Sequence, residues 1–240
     1  MGKVIMSGIV PLLSVPVRSV EISALATGSI VKTNVDGVLT EFVVVNHGVP
    51  GNSSLYGDGC DGTWLLMKNI YNTQKYHTSA MSTFNSSTLC TWLNDEFLNL
   101  FTSEVQSAIS TVNIPYGYYN SSTAFSGDYG LICKIFLLSC YELGLTKNDI
   151  NIPEDGVKLS YFTTGETASA NAKRVAQYNN AAYEYWTRTP YRSTKGYPVY
   201  ISTTGGSASQ DKATYTKGVR PAFVLPSSTQ INSNTMEIMA

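Results

Sequence analysis

Charged side chains are scarce in this sequence: they account for 14% of its 240 residues, whereas an average soluble domain has about 25%. The formal net charge is -1, and no stretch gathers lysine and arginine into a basic stripe. A surface that binds duplex nucleic acid needs several such cations against the phosphates. The composition therefore argues against nucleic acid as a partner.

Metal ligands are also few. There are two histidines, far apart in the chain, and four cysteines, none of them in a Cys-x-x-Cys pair. A zinc site usually places its ligands in closer pairs, so we expect no metal and no cofactor. Cys133 and Cys140 lie in an apolar run, where a small buried thiol is expected. The sequence leaves open whether Cys60, Cys90, Cys133 and Cys140 form disulfides.

Apolar runs of membrane-spanning length are missing too, so we expect no membrane insertion. The first 28 residues are apolar, but two prolines and a glycine interrupt them. An Ala-Leu-Ala stretch near residue 25 resembles a signal-peptide cleavage site, yet Arg18 and Glu21 precede it. We interpret residues 1–28 as an extended arm that docks on a neighbouring subunit.

The sequence is instead rich in tyrosine, of which it has 16, and in serine, threonine and asparagine. A surface of low charge that carries these side chains fits a protein that works outside the cytosol or within a large assembly.

Short strands dominate the predicted secondary structure. Residues 29–48 read as a hairpin around Asp36-Gly37, because glycine adopts the positive φ of a tight turn. "GTWLLMKNIY" and "STVNIPY" predict further strands, and the apolar "LICKIFLLSCYELG" (131–144) predicts a buried central strand. The second half adds strands at "VKLSYF", "YEYWTRTP", "YPVYISTTG" and "GVRPAFVL", separated by loops rich in Ser, Thr, Gly and Asn.

One helix pair interrupts these strands. An apolar stripe with helical spacing follows Ser86 and Ser87, either of which suits the N-cap. The stripe consists of Leu89, Trp92, Leu93, Phe97, Leu100 and Phe101. A second short helix is predicted from Thr102 or Ser103, with Val105, Ala108 and Ile109 facing inward. We therefore expect an α+β fold in one domain, residues 29–226, followed by a loose tail at 227–240.

Seven motifs occur in an order that resembles a known family. They are "GTWLLMKNIY", "STLCTWLNDEFLNLF", "VNIPY", "KIFLLSCYELG", "LSYF", "YWTRTP" and "GVRPAFVL". The family is common in gut Gram-positive bacteria and their phages, and resembles a branch of the C-type-lectin-like fold. That fold also includes formylglycine-generating enzymes and variable receptor-binding proteins of some phages.

The resemblance implies a function without catalysis. Phage-encoded members of such families are similar to virion proteins, so it implies a capsid-surface, tail, baseplate or fibre component in symmetric copies. Its location would be the virion, assembled in the host cytoplasm, and its partners other virion subunits and a host-surface glycan or protein. The alternative is an adhesin or glycan-binding module on a bacterial surface, and a weaker third is a formylglycine-generating type of enzyme.

The sequence lacks the residues that related proteins use for copper-dependent catalysis or for calcium-dependent sugar binding. Formylglycine-generating enzymes hold copper with a cysteine pair. Here Cys133 and Cys140 are predicted on a buried strand and Cys60 and Cys90 lie far upstream, so no pair matches theirs. Calcium-dependent lectins use an acidic, proline-containing loop; "IPEDG" (152–156) has two carboxylates, but no cluster of oxygen ligands follows it. A Ser-His-Asp or Cys-His site would need a well-placed base, and the candidate is His47, just after a predicted strand.

Arg188 and Arg220 are interpreted as a structural frame. An arginine rarely enters a β core unless it is paired, and Glu142 lies in the apolar-looking "SCYELG". We expect Glu142 to pair with Arg188 or with Arg220 and so to hold the C-terminal strands. The alternative role is an anion-binding site.

The insert between the two arginines predicts a binding face. Tyrosine supplies a large contact area at low entropic cost, and neighbouring polar side chains supply hydrogen bonds. The candidate residues are Tyr191, Arg192, Lys195, Tyr197, Gln210, Lys212 and Tyr215. The alternative is an ordinary solvated loop.

Overall fold

The computed structural model describes residues 18–81, 83–206 and 209–239. Its strands, β1 to β16 in chain order, are Ser19–Glu21, Ile30–Val35, Val38–His47, Thr63–Met67, Asn72–Lys75, Val112–Ile114, Leu131–Cys133, Gln177–Tyr178, Ala181–Ala182, Tyr185–Pro190, Pro198–Ile201, Ser209–Gln210, Thr216–Val219, Ala222–Leu225, Gln230–Asn232 and Ile238–Met239. Its α-helices, α1 to α3, are Thr88–Trp92, Ser103–Ala108 and Ala168–Arg174. The predicted α+β class is confirmed, with mostly antiparallel strands and a few short helices.

The first sheet has the strand order β14-β4-β3-β2 and is antiparallel throughout. The hairpin of β2 and β3 turns where predicted: Asp36 and Gly37 have φ of 52° and 75°. Positive φ at both central residues matches the right-handed twist of the flanking strands. All five residues of β4 are buried, so β4 is a central strand of this fold.

The second sheet has the order β12-β11-β10-β13-β5. Strand β10 is buried along its whole length, pairs antiparallel with β11 and touches β13 in parallel. The predicted strand "GVRPAFVL" is divided: its first part lies in β13 and its last part in β14 of the other sheet. Arg220 and Pro221 form the crossing between the sheets.

The helical segment begins where the apolar stripe predicts. The side chain of Ser87 accepts a hydrogen bond from the Cys90 backbone N–H, so Ser87 is the N-cap. The segment is less regular than predicted, since α1 passes into a π-helical turn, Leu93–Phe97, and a 3₁₀ turn, Leu98–Leu100. Thr102 caps α2 in the same way.

The prediction of a central strand over residues 131–144 is wrong. Only Leu131–Cys133 forms a strand, β7, paired with β6. The residues that follow are mostly buried, and side chains take part in many of their backbone hydrogen bonds. Asn94, in the π-helical turn, accepts from the backbone N–H groups of Lys134 and Ile135 at 2.9 and 3.1 Å and donates to the Ile135 carbonyl at 2.9 Å. Because apolar composition reports burial and not sheet pairing, the sequence pattern was ambiguous.

Two further differences lie in the second half. "VKLSYF" (157–162) forms no strand; its backbone bonds instead reach Glu142 and Val45. Helix α3 was not predicted, although Thr167 caps it and Lys173 and Arg174 fill its last turn. Those are ordinary helix start and stop signals, so the sequence did carry the information.

The ends of the described chain belong to the domain. Strand β1 pairs with β15, which pairs with β16 in a third sheet. Ile22 and Ile231 are fully buried, so the predicted boundaries at residues 28 and 227 are wrong. Residues 18–28 are not a separate arm, and 227–239 are not a loose tail. The rest of the predicted arm, 1–17, lies outside the described residues, and its docking stays a prediction.

Aromatic side chains pack against one another in the buried core. Phe42 and Phe223 meet edge to face at 5.1 Å between ring centroids, and Phe101 meets Phe223 at 5.5 Å. Trp64 contacts Phe136 at 5.3 Å. In the described part of the chain, no helix is both long and apolar enough for a bilayer crossing.

Candidate binding face and its buried frame

An aromatic groove of about 350 Å³ opens on the surface beside the C-terminal insert. Three parts of the chain line it: residues 81 and 83–86 before α1, residues 116–125 after β6, and Lys195. Tyr118 is 47% exposed and Phe125 42% exposed. The groove therefore combines accessible ring faces with one cation from the predicted face.

The aromatic wall of this groove was not among the predicted face residues. Its stretch "YGYYNSSTAFSGDYG" (116–130) has the same Tyr, Ser and Gly composition that singled out the insert. Applying the composition argument a second time would have found it.

The structure places the predicted face residues on the insert but does not join them in one site. Lys195, Gln210, Lys212 and Tyr215 are exposed, whereas Tyr191, Arg192 and Tyr197 are partly buried. Lys212 Nζ lies 5.7 Å from the centre of the Tyr215 ring. The backbone N–H of Tyr191 donates to the Tyr197 carbonyl at 2.9 Å, which closes the turn that carries Lys195.

Beneath this surface, Arg188 is the arginine that pairs with Glu142. Its Nη1 and Nη2 each donate to one carboxylate oxygen at 2.5 Å, and both side chains are fully buried. Nε and Nη1 also donate to the carbonyls of Pro115 and Leu137, each at 2.9 Å. Burial alone would lower the pKa of Arg188, but the Glu142 carboxylate more than offsets this and raises it. Tyr56 adds a hydroxyl, 2.9 Å from Glu142.

Arg220 does not contact Glu142, so that alternative is wrong. Its Nε donates to the Met67 carbonyl at 2.8 Å and its Nη2 to the Lys68 carbonyl at 3.1 Å, at the end of β4. Its Nη1 reaches the Tyr185 hydroxyl at 3.1 Å. These bonds hold the crossing between the two sheets, because Arg220 lies where the chain leaves one sheet for the other.

A sequence profile described as a domain of unknown function (DUF6273) matches residues 61–227 of the chain. The chain belongs to the DUF6273 family. The matched region contains the groove, the insert and all three predicted frame residues, Glu142, Arg188 and Arg220. No curated protein and no solved structure matches the chain.

The DUF6273 region contains a third buried arginine, Arg174, which was not among the predicted frame residues. It ends α3 and binds no carboxylate among the described residues. Its guanidinium donates to the carbonyls of Gly205, Gly165, Leu143 and Thr163 and to the side chain of Asn171, at 2.6 to 3.4 Å. Desolvation lowers the pKa of Arg174. Arg174 therefore holds the insert in position near Gly205, because the Gly205 carbonyl accepts one of its hydrogen bonds.

Asp155 is the buried charged residue of this region whose side chain has the fewest hydrogen bonds. It is fully buried, and neither of its carboxyl oxygens has a hydrogen-bond partner by geometry among the described residues. Desolvation raises the pKa of Asp155 to about 7, although the Arg188 guanidinium and the Thr189 hydroxyl lower it. The "IPEDG" segment is thus more than a solvated turn. A Cβ on Gly156 would lie 2.7 Å from the Ser139 hydroxyl.

The four cysteines are buried thiols without disulfide bonds. Burial raises the pKa of Cys60, Cys90 and Cys140 to about 12, and that of Cys133 well above its ordinary value. A thiolate is the reactive form of cysteine, so these environments oppose nucleophilic or metal-ligand roles. Among the described residues, no group of three His, Cys, Asp or Glu side chains is placed to hold a metal ion.

His47, the candidate base, has both ring nitrogens engaged. Nε2 lies 2.8 Å from the Leu25 carbonyl and Nδ1 lies 2.9 Å from the Thr63 hydroxyl. A carbonyl only accepts, so the neutral ring carries its proton on Nε2 and accepts from Thr63 at Nδ1. These bonds join the segment before β2 to the first sheet, which is a structural role.

A larger concavity, about 480 Å³, lies elsewhere, between the β2–β3 hairpin and residues 67–71. Val38 and Leu39 at the tip of the hairpin form part of its wall and are exposed. It offers fewer aromatic faces than the groove and contains none of the predicted face residues, so size alone does not make it the better site.

Proposed function

We propose that this DUF6273 protein is a non-enzymatic binding protein, displayed on a phage particle, with a C-type-lectin-like domain. The observation that carries the binding role is the exposed aromatic groove beside loops that buried arginines hold in place. The order of the seven sequence motifs supports the fold and the particle setting, because it resembles that of phage-encoded relatives.

The frame supports this role through rigidity. Arg188 and Arg174 hold their segments by hydrogen bonds to backbone carbonyls, at Pro115, Leu137 and Gly205 among others. A rigid scaffold lowers the entropic cost of ordering loops when a ligand binds. Loops on such scaffolds are where proteins commonly place binding residues.

The absence of catalysis is part of the proposal. It is supported by the raised thiol pKa values and by the engagement of both nitrogens of His47. Nucleophilic catalysis needs a nucleophile with an adjacent base or a lowered pKa.

Immunogold electron microscopy of purified phage particles, with antibody against residues 183–217, tests the particle setting. We expect regular labelling: at the head for a capsid-surface protein, at the tail tip for a host-recognition protein. Absence of label from every particle, with label on the surface of bacterial cells, would replace the virion proposal with a bacterial adhesin.

A further inference from the structure

We propose that the aromatic groove binds a carbohydrate, which stacks a ring face on Tyr118 and Phe125 and directs an acidic substituent to Lys195. This inference rests on the proposed binding function and specifies its ligand class and its location.

The ring geometry is the first observation. Phe125 stacks on Tyr116 with ring centroids 5.4 Å apart and planes 28° apart. The ring centroids of Tyr118 and Phe125 are 5.9 Å apart, and the ring planes meet at 81°. Two neighbouring rings at nearly a right angle form a corner, and both remain more than 40% exposed. The C–H face of a sugar ring is drawn to the negative face of an aromatic ring, so this corner suits a pyranose.

Polar groups surround the rings. Thr83, Asn85, Ser86 and Tyr119 also line the groove. Their hydroxyl and amide groups both donate and accept hydrogen bonds, as sugar hydroxyls do. A small-molecule site typically combines apolar walls with a few such groups in about 300–1,000 Å³, and the groove has about 350 Å³.

Lys195 gives the groove its charge preference. It is exposed and forms no salt bridge with a described residue. The groove lining contains no described aspartate or glutamate. A carboxylate or phosphate on the sugar therefore meets one cation and no fixed anion, which favours acidic sugars over neutral ones.

Backbone contacts hold the three walls in position. The backbones of Tyr116 and Phe125 exchange hydrogen bonds of 3.1 and 3.0 Å, and the Asn120 N–H donates to the Arg192 carbonyl at 3.2 Å. A Cβ on Gly196, where φ is +82°, would lie 2.8 Å from the Cβ of Ala80. The turn carrying Lys195 therefore packs directly on the segment that precedes α1, and ligand binding needs little reorganisation.

The test is a glycan array that carries neutral hexoses beside their uronic-acid and phosphorylated counterparts, probed with purified protein without added calcium. We expect acidic members to bind more tightly than their neutral counterparts. Calorimetry on the best glycan should show about a tenfold loss of affinity in Tyr118→Ala and in Phe125→Ala, equivalent to about 1.4 kcal/mol. Lys195→Ala should bring the acidic sugar to the affinity of its neutral counterpart.

Matched variants separate stacking from other effects. Tyr118→Phe keeps the ring and should bind nearly as the parent does. Tyr129→Ala removes an aromatic that is 76% exposed but lies outside the groove, and should change nothing. All variants should remain folded at the assay temperature, which their melting curves check, although Phe125→Ala also loses the stack on Tyr116.

Three results would overturn the inference. The first is no glycan binding at all, or binding that Tyr118→Ala and Phe125→Ala leave unchanged. The second is competition by inorganic phosphate as strong as that by the acidic sugar, which would leave only an anion site. The third is binding of peptides alone on a parallel peptide array. Particle labelling is measured separately, so the virion proposal stands or falls independently.

Discussion

The buried frame and the exposed groove use cations in opposite ways. Arg174, Arg188 and Arg220 lie inside the protein, where their guanidinium donors meet fixed carbonyl, hydroxyl or carboxylate oxygens. Lys195 is exposed in the groove, where a cation needs no fixed acceptor. A buried cation without partners is costly, so the interior requires a fixed set of acceptors. The surface imposes no such requirement, so its side chains are available for a ligand.

The largest effect should come from Arg188. Arg188→Met leaves the Glu142 carboxylate buried and unpaired, and we expect a loss of about 3–5 kcal/mol in the free energy of unfolding. Urea denaturation measures it.

The matched control is the exposed Lys147–Glu154 salt bridge, whose side chains are 60% and 48% exposed. Lys147→Met should lower the free energy of unfolding far less than Arg188→Met does, because water already solvates both charges of an exposed pair. Equal losses in the two variants would mean that the buried pair adds no more than a surface pair.

An intermediate effect, dependent on pH, should come from Asp155. Its folded-state pKa of about 7 lies above the ordinary 3.8 of an aspartate. The folded state therefore holds the proton more tightly than the unfolded state. The contribution of the Asp155 carboxyl to the free energy of unfolding is largest below about pH 4. It decreases as the pH rises to about 7 and is constant above that.

Asp155→Asn removes this titration. The melting temperature of Asp155→Asn relative to the parent should therefore rise between pH 4 and pH 7, by several degrees, and then level off. Glu154→Gln, which replaces the exposed neighbouring carboxylate, is the matched control variant. A difference between Asp155→Asn and the parent that is independent of pH would contradict the raised pKa.

The smallest effect should come from the insert. Tyr215 is 50% exposed, and its contact with Lys212 is a surface cation–π pair. Tyr215→Ala and Lys212→Ala should each change the free energy of unfolding by no more than about 0.5 kcal/mol. A loss comparable to that of Arg188→Met would place Tyr215 in the frame and not on the surface.

Local signals in the sequence predicted local structure well. Asp36-Gly37 predicted a tight turn, and Ser87 and Thr102 predicted helix starts, because each acts on backbone groups within a few residues. The same signals preceded α3 at Thr167, and that helix was overlooked. The aromatic wall at Tyr116, Tyr118 and Phe125 was also readable from composition.

Long-range pairing was not readable in the same way. The run at 131–144 is as apolar as β4, yet β4 is a central strand whereas most of the run is irregular. The difference lies in the partners of the backbone: β4 has strands on both sides, and residues 134–135 have the side chain of Asn94. The local sequence pattern does not determine which acceptor a backbone N–H will bond to.

By itself, the sequence determined the α+β class, the hairpin and the helix starts, and the presence of arginines that need buried partners. Only the tertiary structure decided that Glu142 pairs with Arg188 and not with Arg220. It also decided that Asp155 is buried without a side-chain hydrogen bond to a described residue, and that Lys195 lines the same groove as Tyr118 and Phe125. The physical reason is separation along the chain. Capping and turn geometry act within a few residues, whereas ion pairs, burial and grooves join segments that only the complete fold brings together.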